Sequence, residues 1–107
     1  MVPFPGGDGI PLLAEYHKAL IANDATARPS FGSLEGYIAG RLTAAVLARA
    51  GEPPTRESFL SALVKTGKFD IGGFTLTYGP GDNRGSNQVF LTLIRNGAVV
   101  PVERPAP

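Results

Sequence analysis

The sequence contains no cysteine and no tryptophan, and only one histidine and one methionine. Without cysteine there is no disulfide framework, no thiolate nucleophile and no cysteine-based zinc site. That absence suits either side of a bacterial membrane and decides nothing about compartment. An excess of one charge is also lacking: ten Lys and Arg face nine Asp and Glu, for a net charge of +1. With no tract of like charge, there is no electrostatic footprint for nucleic acid or for an anionic lipid surface. No apolar run approaches the ~18 to 20 residues of a membrane-spanning helix. The opening Met1-Val2-Pro3-Phe4-Pro5 lacks the basic and apolar regions of a signal peptide. Either the protein is cytosolic or its beginning lies elsewhere. The second is preferred, because Val2 to Pro5 reads as the end of a strand.

The chain is rich in punctuation, with 14 glycines and 10 prolines dividing it into short elements. Gly6-Gly7-Asp8-Gly9 is a turn cluster, and Asp8 or Gly9 can cap a helix beginning just after it. Leu12, Leu13, Tyr16, Leu20 and Ile21 recur at helical spacing, and Pro11 suits a first turn. A helix is expected over residues 10–22. After a polar loop, "SLEGYIAGRLTAAVLARAG" carries the strongest helical signal, over residues 33–49. Ser33 is its expected cap, and Arg49 and Gly51 its close. Leu34, Tyr37, Ile38, Leu42, Ala45 and Val46 form one face. Gly36, Ala39, Gly40, Ala44 and Ala48 are small enough for another backbone to come close. Thr55 then caps a third helix, to about Thr66, with Phe59, Leu60, Leu63 and Val64 as its apolar stripe.

Beyond Gly67 the period changes from helical to alternating. Phe74-Thr75-Leu76-Thr77-Tyr78 predicts a half-buried strand, and Gln88 to Ile94 a second. Asn96-Gly97 is a hairpin turn, Ala98 to Val100 the returning strand, and Arg104 to Pro107 a loose tail. The fold class is therefore α/β: three helices followed by a C-terminal β-hairpin segment.

Between the strands lies "GPGDNRGS", residues 79–86, which resembles a phosphate loop only in composition. No lysine comes after it, no helix begins there, and the third glycine falls one residue late for a dinucleotide fingerprint. Asp82 is too isolated for a calcium loop. The stretch reads as a connection between strands. His17 has no metal-binding companion, no serine sits in a G-x-S-x-G elbow, and the acidic residues are scattered singly. Neither an enzyme, a metal site nor a cofactor is expected. The segment worth a functional bet is Pro29 to Tyr37, at the entry to the longest helix. There Phe31, Ser33 and Leu34 are the candidate ligand-binding residues, against the plainer alternative of a capped helix anchored by Phe31.

"SFGSLEGYIAGRLTAAVLARAG", "PTRESFLSAL" and "FDIGGFTLTYGPGDNRGSNQVFLTLIRNG", in that order, resemble the C-terminal part of the substrate-binding proteins of branched-chain amino-acid ABC transporters. The start at Val2-Pro3-Phe4-Pro5 and the "PLLAEYHKAL" helix are similar too, so the likeness runs from about Val2 to Val102. It implies two Rossmann-like lobes joined by three crossovers and closing on a small ligand, with most of the N-terminal sequence outside this chain. On that basis the chain is one partial domain. Residues 2–86 match the first lobe after the second crossover, and residues 87–107 the last crossover and the second-lobe strands. Pro3, Phe4 and Pro5 would then be connector residues, as would Gly79, Gly81 and Gly85. Partners implied by the likeness are an amino acid or related small molecule and the ABC permease subunits; the location implied is the periplasm. Two other readings remain open: a self-associating structural or interaction domain, and a ligand-sensing module of a regulatory protein.

Overall fold

The computed structural model describes residues 1–102. The loose tail expected at its end lies outside the described residues. Three helices, α1 (Pro11–Asn23), α2 (Phe31–Leu47) and α3 (Arg56–Thr66), precede five short strands. These are β1 (Lys68–Ile71), β2 (Phe74–Gly79), β3 (Asp82–Gly85), β4 (Thr92–Arg95) and β5 (Ala98–Pro101). The strands form two antiparallel sheets, one ordered β1-β2-β3 and the other the β4-β5 hairpin. The architecture is mixed α/β, as expected, and no helix interrupts residues 74–94.

Alternation builds the first sheet. Phe69 pairs with Leu76 and Ile71 with Phe74, which puts all four on one face, and all four are buried. Lys68, Asp70, Thr75 and Thr77 point the other way and are exposed. Gly72 and Gly73 make the turn between β1 and β2, both with positive φ, as a two-residue hairpin of this hand requires. The inner face meets Leu12, Leu13 and Tyr16 of α1, Leu34, Ile38 and Val46 of α2, and Ala62 of α3 in one core. Burying each of the larger apolar side chains contributes about 1.5–3 kcal/mol.

Helix boundaries depend on caps and on tertiary contacts. At α1 the cap position is Ile10, whose side chain bonds nothing, so neither Asp8 nor Gly9 caps the helix. The Leu12 N–H instead donates to the Gly72 carbonyl of the hairpin turn, at 2.8 Å. At α2 the cap is Ser30 rather than Ser33, and its hydroxyl accepts from the Ser33 N–H. This moves the helix start forward to Phe31. Thr55 caps α3 as expected, in a reciprocal pair with Ser58. The apolar stripe expected on α3 is only partly used: Phe59 and Leu63 pack half-buried against the core, while Leu60 and Val64 stay exposed.

The strands also differ from the sequence-based expectation in three places. Lys68 to Ile71 forms a strand that the sequence pattern did not predict. The "GPGDNRGS" stretch is not a passive loop: Gly79 pairs with Asp82 around a Pro80-Gly81 turn, and the chain returns as β3. Gly81, at φ +76°, supplies the conformation a Pro-Gly turn needs. A bulge sets Asn83 and Arg84 opposite Tyr78. Residues 86–91 carry the passage between sheets, so the expected strand from Gln88 begins only at Thr92. Asn96 and Gly97 form the β4-β5 turn, as expected, both with positive φ.

Much apolar surface remains open. Ile94 is 77% exposed, and Ile21, Leu47, Leu60, Val89 and Leu91 are also exposed. The radius of gyration is 15.9 Å, against about 13 Å for a compact 100-residue domain.

Candidate functional site at the entry to α2

The first turn of α2 is built by hydrogen bonds that converge from α1. Tyr16 is almost wholly buried, at 1% exposure, yet its hydroxyl is fully engaged. It accepts from the Ser30 N–H at 3.0 Å and lies 2.5 Å from the Ser33 hydroxyl. The Ser30 hydroxyl in turn donates to Ser33 Oγ, and the Ser33 N–H donates back to Ser30 Oγ. The start of α2 is therefore tied to the middle of α1 by a compact network of hydroxyls.

The three candidate ligand residues have different surroundings. Phe31 is half-buried, and its ring meets that of Phe4 edge-on, with centroids 6.3 Å apart and planes at 65°. Ser33 is exposed, but its hydroxyl is shared among Tyr16, Ser30 and the Ser30 carbonyl. Leu34 is fully buried and belongs to the core, so its side chain presents no surface here. The wall that this entry offers consists of Phe31 and the outward side of Ser33, with Phe4 added.

The connector residues fall into two groups. Pro3 and Pro5 are buried on either side of half-buried Phe4. The Pro5 carbonyl lies 2.5 Å from His17 Nε2 of α1. Gly79, Gly81 and Gly85 serve the β2-β3 hairpin rather than the passage between sheets. Gly85 has φ +78°, and a Cβ there would lie 2.6 Å from the Tyr78 hydroxyl. Burial pushes the Tyr78 phenol up from its ordinary pKa.

Sequence reasoning missed Tyr16 and His17 as builders of this entry. Helical position alone describes both, and no local signal links a residue to partners 12 to 17 positions away. A neighbouring hollow of 220 Å³ on the α1–α2 seam is lined by Tyr16, Ser33 and Tyr37 among others. Arg41 of α2 donates across that seam to Glu15 and, within its own helix, to the Tyr37 hydroxyl, each at 2.9 Å. The Tyr37 bond is the leading cause that raises the Arg41 pKa. A polar groove of 420 Å³ lies by Thr75, Thr77, Asp82 and Arg84, apart from the α2 entry. Among the described residues no three His, Asp or Glu side chains gather as a metal site would require. None of the described helices is long and apolar enough to cross a membrane. Comparison of the chain with protein-family models, with curated proteins and with solved structures finds no match.

Proposed function

We propose that the chain is part of a solute-binding receptor of an ABC importer, located in the periplasm and handing its ligand to a membrane permease. The ligand would be a branched-chain amino acid or a related small carboxylate or amide. One observation carries the reading: Phe4 and Phe31 meet as a partly exposed aromatic corner at the open end of α2. They come from the two stretches that the family resemblance assigns to a crossover and to the ligand wall. The open small-residue face of α2 and the expanded radius fit a unit that packs against further structure. In the longer protein, Phe31→Ala should remove ~1.5–3 kcal/mol of apolar contact, about a 10- to 150-fold loss of affinity. Unchanged affinity for a ligand that the longer protein binds would reject Phe31 as a wall residue.

A second reading, self-association, is favoured by the β4-β5 hairpin. There Ile94 and Val99 are exposed, and both outer strand edges are unpaired among the described residues. Light scattering separates the two readings. A strictly monomeric chain at tens of micromolar rejects the second.

A further inference from the structure

We propose that Tyr16 and His17 are positioning residues of the aromatic corner, each holding one of its two sides. The proposal rests on the reading of that corner as a ligand wall, while its geometry can be tested separately. Successive residues of a helix point ~100° apart, so two neighbours can reach two different partners. Tyr16 reaches the start of α2, where its hydroxyl binds the Ser30 N–H and the Ser33 hydroxyl. His17 reaches the N-terminal segment, where Nε2 meets the Pro5 carbonyl.

The placement relative to the phenylalanines gives these bonds their meaning. Phe4 immediately precedes the residue His17 holds, and Phe31 comes immediately after the residue Tyr16 holds. Phe4 also lies between two prolines, which fix their own φ and restrict the residue before them. Anchoring the Pro5 carbonyl therefore fixes the Phe4 backbone. Phe31 is fixed likewise, because Ser30 is held at its N–H by Tyr16 and through its hydroxyl by Ser33. With both backbones set from one turn of α1, the two rings are held in edge-to-face contact. Preorganisation of this kind removes an ordering cost from binding.

The His17 bond also defines its tautomer. A carbonyl oxygen can only accept, so Nε2 must carry the proton.

The test uses His17→Leu, which removes the donor, and His17→Gln, which keeps one, beside Tyr16→Phe. Nuclear Overhauser contacts between the Phe4 and Phe31 rings are read in the 107-residue chain, with circular dichroism as the check on folding. The contacts should vanish in His17→Leu at unchanged helix content and return in His17→Gln. Tyr16→Phe should accelerate hydrogen exchange at the Ser30 amide. In the longer protein, His17→Leu should weaken L-leucine binding roughly tenfold, with recovery in His17→Gln. Ring contacts that survive both His17→Leu and Tyr16→Phe overturn the proposal. So does a lost ring contact that leaves L-leucine affinity unchanged. Failure of the underlying receptor reading looks different: the unsubstituted longer protein binds no amino acid, while the ring contacts persist.

Discussion

Replacing Gly36 and Gly40 by alanine, singly and together, asks whether the outer face of α2 is free. Both glycines lie inside the helix, and a Cβ added at either would meet nothing within 4 Å. Glycine in a helix interior is destabilising by roughly 0.5–1 kcal/mol relative to alanine, because the unfolded chain has more freedom to lose. With no steric penalty to oppose it, that gain should appear in full. The double variant of the 107-residue chain should then be about 1–2 kcal/mol more stable. For a domain of this size, that is roughly a 4–16 °C rise in melting temperature at 4–8 °C per kcal/mol. Urea unfolding followed by circular dichroism measures it, with the midpoint moving up and the slope unchanged. A lowered midpoint in the isolated chain would refute the open-face description. In a longer protein whose other segments pack on α2, the sign should reverse, since overpacking costs about 1–3 kcal/mol.

Gly72→Ala should be the most damaging glycine change. Its Cβ would lie 2.6 Å from the Leu12 nitrogen, at φ +59°, where the hairpin turn docks on α1. Backbone strain and overpacking together suggest a loss of about 2–5 kcal/mol, so a near-native urea midpoint would count against the docking. Leu34→Ala should cost about 2–5 kcal/mol as a core truncation, and a loss under 1 kcal/mol would mean that Leu34 is not core. Asp24 accepts from the Thr26 N–H and hydroxyl, and these bonds hold its carboxyl below the ordinary carboxylate range, the backbone bond foremost. Its contribution to stability is therefore present above the unfolded carboxylate value and lost as pH falls through the lowered folded value. Asp24→Ala should remove that acid-limb dependence, and an unshifted carboxyl resonance titration would contradict the assignment.

The helices were legible because their signals are local: apolar spacing, Pro11 at a first turn, Thr55 as a cap. The start of α2 is ambiguous in the sequence because Ser30 and Ser33 both satisfy the cap preference. The choice between them is made by Tyr16, a tertiary contact that periodicity does not report. At β1 the alternation of Phe69 and Ile71 with charged neighbours was present, but four residues are too few to stand out from a helix end. The "GPGDNRGS" stretch concealed a strand, since β3 is polar and exposed apart from Gly85 and is held by pairing rather than by burial. At the site, Phe31 could be nominated from its place before a long helix. Phe4, named from the resemblance only as a connector, could not be paired with it, nor could the anchors on α1 be found, because they meet it only in the folded chain.

The most direct test of the receptor reading is calorimetric titration of leucine, isoleucine and valine into two proteins, the 107-residue chain and the longer protein that this reading requires, with a second lobe. On that reading the chain alone would supply one edge of a cleft. Each missing polar contact costs ~1–3 kcal/mol, enough together to carry a micromolar affinity out of range. The expected result is no saturable heat from the chain alone, with saturable binding and thermal stabilisation in the longer protein by one of these or by a related carboxylate or amide. Tight binding by the 107 residues alone would contradict the partial-cleft reading. A longer protein that ignores the whole panel would contradict the receptor itself.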